Sequence, residues 1–410
     1  MKSSESGCFR EPCAEVQQQI YRHGVIPHAT LLADTLFAEK AQVVMKEILL
    51  RISITSISIL VCFVLAELVG RQSLSYVARK SVSQLGGSLE ADPELLVEYT
   101  ARGRRMVPNA DVVIHNHYIS GLDVDIKTNT LGLRDPERSA QPDPGNDRII
   151  MLGDSIIVQD YLPSDSTLVR IMERSLSNSD GNKIEIVNAA LSNLGIDEEY
   201  QLLSDIIDKI RPTAVLLSFY LNDSRPAWGF SGEIGNKRGW FRKHSIVIDT
   251  IVRELEVRKW LDKSKVDRFA WKSLLDTTPW KTDPQAFRAL AAAAPFDWGS
   301  AWNEDSWSTV ERGVQKIQEL TQRHGARLGV VIMPVKYQVV ADFKDDLPQQ
   351  RAGAILSRLG IPYMSLLDLE REYRTEDIFY DWCHPNERGN EIIAPAIENF
   401  IQKNLRIGKK

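Results

Sequence analysis

Three short blocks of this chain concentrate side chains that could handle an acyl group. Gly153-Asp154-Ser155 closes an apolar run at 148–152, Asn222-Asp223 follows another at 214–219, and Asp381-Trp382-Cys383-His384 stands near the C-terminus. A hydroxyl is a weak nucleophile until a base removes its proton, and an imidazole does so best when a carboxylate fixes its tautomer and stabilises the imidazolium. Ser155, His384 and Asp381 supply that set. Attack on an acyl carbonyl also needs donors aimed at the developing oxyanion, each worth about 3 kcal/mol when removed. The Asn222 side chain, the Ser155 amide and an amide from the stretch "VNAALSNLG" at 187–195 are the candidates. Their neighbours read as structural. Asp154 hydrogen-bonds its own turn, Asp223 holds the Asn222 loop, and Cys383 is a buried spacer because Ser155 already fills the nucleophile's role.

Strand ends must hold these groups, and the chain supplies a series that does so. Apolar strands at 148–152, 184–188, 214–219, 327–335 and 362–366 alternate with helical patterns at 164–176, 197–210, 306–324, 347–359 and 385–404. Such alternation predicts a parallel sheet covered on both faces, with ligands at the C-terminal strand ends. Ser155, the 187–195 loop and Asn222 then project from one edge. Pro385 can open the final helix, since its missing N–H is not needed there. An insertion at 224–305 interrupts the series. Eight of the nine tryptophans fall between Trp228 and Trp307, either as the core of a helical insertion or as a cap whose rings stack on sugars or rest at a membrane interface.

The blocks, in this order and each at a strand end, resemble the SGNH/GDSL hydrolase family over residues 148–404, the insertion excepted. Gly153 to Ser155 matches that family's nucleophile block, Asn222-Asp223 its "xxND" block, and Asp381-x-x-His384 its closing dyad. The resemblance implies an α/β fold, a three-layer αβα sandwich with a flavodoxin-like parallel sheet, and hydrolysis of small esters with no cofactor and no metal. It implies a Ser155–His384–Asp381 triad and an oxyanion hole from Ser155, Asn193 and Asn222. The chain departs from the pattern in three places. Asn193 stands where the family usually has glycine in its second block; asparagine tolerates positive φ, so its N–H can hold that place, with Gly195 the alternative. Tyr220 replaces a glycine before Asn222 and narrows the pocket. The glycine usual a few residues beyond the serine is missing from "IIVQD" at 156–160. No G-x-S-x-G elbow is present, which argues against the α/β-hydrolase alternative.

Ahead of this region, residues 52–70 form an apolar stretch between Arg51 and Arg71 that carries only Glu67, close to the roughly 20 residues a membrane helix needs. "MKEILLRISITSI" from Met45 has the basic-then-apolar order of an export signal without a small-x-small cleavage site, so Met45 is an alternative start. The division expected is a tail at 1–50, a transmembrane helix at 51–71, a connector with a small β-hairpin at 72–145, hydrolase segments at 146–223 and 306–410, and the Trp-rich insertion at 224–305. Residues 72–108 read as helical and 111–134 as the hairpin, with His115 and His117 on one solvated strand face.

The net charge of −5 and the absence of a Lys/Arg block argue against nucleic acid as partner. Cys8, Cys13, Cys62 and Cys383 lack the spacing of a zinc site or disulfide framework. The function expected is a bacterial inner-membrane, single-pass esterase with its catalytic part exported, acting on acyl, chiefly acetyl, esters of an envelope carbohydrate or lipid. Two alternatives stand beside it. One is a polysaccharide O-acetyltransferase of the same fold; the other is an inactive binding subunit of an envelope polysaccharide machine.

Overall fold

The computed structural model describes residues 28–84, 88–90, 96–100, 103–142, 145–179, 184–225, scattered positions between 241 and 255, 269–405 and 407. These fall into two units, Met1–Val69 and Gly70–Lys410.

Helix α1 (His28–Gln84) begins well before the apolar stretch and continues past it, because Gly70 is the only helix-breaking residue in its run. Within it, Glu39–Gly70 is long and apolar enough to cross a membrane by length and composition. Its apolar side chains, among them Ile52, Ile57 and Leu60, are exposed. A soluble core helix hides such a face; this one does not.

In the second unit the connector carries short strands beyond the end of α1. The helical expectation for 72–108 holds only to Gln84; beyond it lie β1 (Ser88–Glu90), β2 (Val97–Thr100) and β3 (Gly103–Met106). β2 and β3 form an antiparallel pair, and a cross-strand partner outweighs weak local helix preference. The expected hairpin is β4 (Asp111–His115) with β5 (Val124–Lys127), and β1 adds in parallel. His117 departs from expectation. It lies beyond the end of β4 and is buried, with Nδ1 accepting the Ile119 N–H, while His115 stays exposed beside Asp123.

Five parallel strands form the main sheet: β6 (Asp147–Gly153), β7 (Ile184–Ala190), β8 (Ala214–Tyr220), β9 (Arg327–Met333) and β10 (Tyr363–Ser365). They lie in the order β10-β9-β8-β6-β7. Every residue of β7 and β8 is buried, which is why these strands read as continuous apolar runs rather than alternating ones. Helices α2 (Ser155–Val158), α3 (Leu168–Ser179), α4 (Ile196–Ile210), α5 (Leu274–Thr277), α6 (Pro284–Ala292), α7 (Trp307–Arg323), α8 (Lys336–Val340), α9 (Leu347–Arg358), α10 (Leu367–Glu372) and α11 (Glu387–Asn404) complete the described elements of regular length. α3 packs against α11, and α4 against α7. Since β7 lies on one side of β6 and β8 on the other, right-handed crossovers put α3 and α4 on opposite faces. The result is a three-layer αβα architecture with a parallel sheet of flavodoxin-like order. Its winding reverses between β6 and β8, so a crevice opens at their C-terminal ends.

α11 starts at Glu387 rather than at Pro385. Asn386 caps it, Oδ1 accepting the Gly389 N–H at 2.9 Å, and Pro385 is drawn into a bridge with Phe379. Of the tryptophans, Trp228, Trp240 and Trp260 lie outside the described residues. Trp271 and Trp298 are fully buried and meet edge to face at 5.8 Å, with Trp302 5.4 Å from Trp298. Trp271 and Trp298 core the described end of the insertion, while Trp280 and Trp302 stay half-buried against the same hydrophobic cluster.

Candidate active site

Ser155 follows β6 directly and opens α2. Gly153 is needed just before it: a Cβ there would stand 2.8 Å from Ile157 and 3.2 Å from the Ser218 Cβ on β8. Asp154 caps α2, its carboxylate accepting the Ile156 N–H at 3.0 Å. Burial raises its carboxyl, opposed by that N–H, by His384 and by the Asn222 amide, so all four groups share one neighbourhood. The turn then closes on Gln159, left-handed at φ 47°, whose N–H returns to the Ser155 carbonyl. Here the chain takes the conformation of the missing glycine without the glycine. The Gln159 side chain is tied down instead, exchanging amide hydrogen bonds with Asn390 at 2.8 and 3.0 Å and accepting the Leu168 N–H at 2.6 Å.

The dyad is formed. His384 Nδ1 donates to Asp381 Oδ2 at 2.7 Å, while Asp381 Oδ1 accepts the backbone N–H groups of Cys383 (2.9 Å) and His384 (3.0 Å). With Nδ1–H committed to the carboxylate, the neutral ring carries its lone pair on Nε2. That atom is buried and makes no hydrogen bond, to Ser155 or to any other described residue. Burial pulls the His384 imidazole down, but the Asp381 hydrogen bond and charge more than offset it and hold it above its ordinary value. Asp381 answers in reverse. Burial raises its carboxyl, and the His384 hydrogen bond and charge bring it below the ordinary value. Burial, with Asp381 next, pushes the Cys383 thiol well up, so it stays protonated and fits the spacer expected. Asp381, Cys383 and His384 offer three ligand atoms within 4.8 Å of one another, and two of these residues are joined by the Asp–His hydrogen bond.

Nucleophile turn and dyad are in contact. The Tyr161 ring lies edge-on to the His384 ring at 4.9 Å, and its hydroxyl donates to the Pro385 carbonyl at 3.1 Å. Gln159 and Asn390 join the same two segments. Arg134, from the connector, grips the far end of the turn by donating to the carbonyls of Val158 (3.2 Å), Gln159 and Leu162 (2.7 Å).

Asn222 and Asn193 sit past the ends of β8 and β7. Asp223 holds the Asn222 turn as expected, accepting the Tyr220 N–H at 2.8 Å. Asn222 Oδ1 is buried and unpartnered. Tyr220 is fully buried beside the Cys383 thiol. Asn193 is left-handed, φ 68°, as a residue in a glycine's place must be. Its N–H and that of Ser155 have no acceptor among the described residues. The Gly195 N–H, by contrast, is turned to Glu198 Oε2 at 3.4 Å in the cap of α4. Asn188, the asparagine from which the second block is counted, is one support; those that sequence reasoning missed are Arg134, Gln159, Arg225 and Asn390. Asn188 Nδ2 donates to the Ile157 carbonyl at 3.1 Å, bracing the turn from β7. Nothing in the spacing of the missed residues marks them, because each acts on a partner distant in sequence.

No family model and no curated protein matches the chain. Solved structures are similar to it at low identity. An esterase, EstA, from Pseudoalteromonas sp. is 13% identical with a TM-score of 0.38, covering 64% of this chain and 100% of that one. The acetyl xylan esterase AlAXEase is 12% identical with a TM-score of 0.37, covering 62% and 98%. A two-domain esterase active on acetylated mannans is 14% identical with a TM-score of 0.37, covering 65% of this chain and 51% of that one.

Proposed function

We propose that the chain is a serine esterase. Ser155 Oγ adds to an ester carbonyl as its proton passes to His384 Nε2, and Asp381 stabilises the imidazolium. The negative oxygen is met by the Ser155 and Asn193 N–H groups and the Asn222 side-chain amide. Collapse expels the alcohol, which takes the proton from His384. Water then repeats the sequence on the acyl-enzyme, releasing the acid and restoring Ser155. The observation that carries this reading is His384 itself: a ring fixed by Asp381 at 2.7 Å, with Nε2 buried, unpartnered and packed against the turn that bears Ser155. A serine–imidazole hydrogen bond that is open in this state commonly closes only once substrate is in place. The Asn193 N–H is preferred to that of Gly195 as the second donor, since the Gly195 N–H faces Glu198 Oε2 at 3.4 Å.

The substrate class proposed is the acyl ester, chiefly acetyl, of an envelope carbohydrate or lipid, on the strength of the motif resemblance. The apolar stretch of α1 would hold the enzyme at the inner membrane with the α/β unit exported, in keeping with the basic-then-apolar order after Met45. The test is turnover of p-nitrophenyl acetate by the full chain in detergent. Ser155→Ala should lower kcat by at least about 10³-fold; equal rates would remove the reading. Addition of an acceptor oligosaccharide then separates released acetate from transferred acetate.

A further inference from the structure

The Asn193 loop is anchored by a feature that the esterase chemistry does not itself require. Arg225, nearly fully buried just past the Asn222 turn, forks onto one residue: Nη1 donates to Asn193 Oδ1 at 3.0 Å and Nη2 to the Asn193 carbonyl at 2.9 Å. Arg104 of β3 adds a second bond to that carbonyl at 2.5 Å, the third to Asn193, and is itself held by both carboxylate oxygens of Glu198 at 3.1 and 3.2 Å. On the other side of the loop, Ser192 Oγ donates to Asp160 Oδ2 at 2.9 Å, tying it to the nucleophile turn.

A non-glycine residue at positive φ carries a conformational cost and persists only where surroundings over-determine it. Glycine would meet the φ requirement freely but would offer the guanidinium only a carbonyl. Asparagine offers two acceptors to a planar fork, and that geometry fixes the peptide plane. That plane is the 193–194 peptide; the 193 N–H belongs to the 192–193 peptide, which is held between the Asn193 Cα, fixed by the fork through its side chain and carbonyl, and Ser192, tied to Asp160.

We propose that Arg225 is a positioning residue that aims the Asn193 N–H at the oxyanion through this two-bonded fork, with Arg104 as its second support. The inference rests on the esterase reading above. The fork substitutes for the glycine that the chain lacks. Arg225 also faces the carboxylates of Asp297, Glu198, Asp223 and Asp154, so its charge has a structural use that must be separated from its hydrogen bonds.

Arg225→Lys makes that separation, since it keeps the charge and loses the fork. In the full chain in detergent, with p-nitrophenyl acetate, Arg225→Lys should lower kcat about 10- to 100-fold while KM stays within about twofold, the signature of an interaction made in the transition state. Asn193→Gly placed in the Arg225→Lys background should recover at least about fivefold in kcat, because glycine holds φ 68° unaided. A kcat within about twofold of the parent, a loss carried by KM, or a double variant no better than the single would each overturn the proposal. If Arg225→Lys does not fold, Arg104→Lys decides instead, with a kcat loss of about three- to tenfold expected and an unchanged kcat fatal. Ser155-dependent turnover with an unaffected Arg225→Lys overturns the fork alone. Absence of any Ser155-dependent turnover removes the esterase reading and the fork with it.

Discussion

The two walls of the site are built in opposite ways. The dyad wall is local: Asp381 and His384 share one turn, and a single carboxylate accepts one ring N–H and two backbone N–H groups within it. The oxyanion wall is assembled from three strand ends and held by residues far off in sequence, Arg134 on the nucleophile turn, Arg104 and Arg225 on Asn193. A local motif carries its geometry with it. A distributed one needs tertiary supports, and where the usual glycines are missing those supports must hold backbone that would otherwise relax. Gln159 and Asn193 show the same solution twice, a left-handed amide residue whose side chain is locked by a polar partner.

This contrast can be broken at either wall. On the dyad side, Asp381→Asn keeps the shape but reverses the preferred tautomer, and kcat on p-nitrophenyl acetate should fall by about 10³-fold or more. A loss under tenfold would mean that the local pair does not orient the base. Next in size is the pair supporting the nucleophile turn. Gln159→Ala strips Asn390 of its amide partner and puts alanine at φ 47°, so chemical denaturation should show a loss of about 2–3 kcal/mol.

The acid limb of the pH profile comes third. His384 must be neutral to accept a proton, and its value lies above the ordinary 6.5, so kcat/KM should rise with pH through a midpoint above about 6.5. Asp381→Asn removes the cause of the rise and should shift that limb downward. The same pairing stabilises the fold with opposite signs at its two ends. Its His384 part is fully present below about pH 6.5 and fades as pH climbs through the raised value, while the Asp381 part is present above about pH 4 and fades as pH falls through the lowered one. The smallest effect belongs to Gly195→Ala. Its φ is an ordinary −117° and an added Cβ meets nothing closer than 3.9 Å, so kcat/KM should move by less than about threefold. A larger drop would mean that the loop does not accept a side chain at 195.

Legibility in the sequence divides along the same line. The strands are continuous apolar runs, so β6 to β9 read clearly, and the order of the Ser155, Asn222 and Asp381–His384 blocks placed them on one edge. Asn193 was legible too, as an amide standing where a left-handed residue is required. The short strands β1 to β3 were not, since three or four residues make a strand only because a partner is present. His117 looked solvated from its place two residues after His115, yet the chain leaves β4 between them and turns it inward. The arginine supports gave no signal, because a lone Arg reads as surface until its acceptors, up to 94 residues away in the case of Arg104 and Glu198, are folded against it.

The most direct test of the central claim, that Ser155 is activated by the Asp381–His384 pair, is covalent capture by a fluorophosphonate probe followed by peptide mass mapping. The account predicts a single adduct on Ser155, formed at least about 10²-fold more slowly in His384→Ala. Labelling on another residue, or labelling of Ser155 at the same rate without the imidazole, would contradict it.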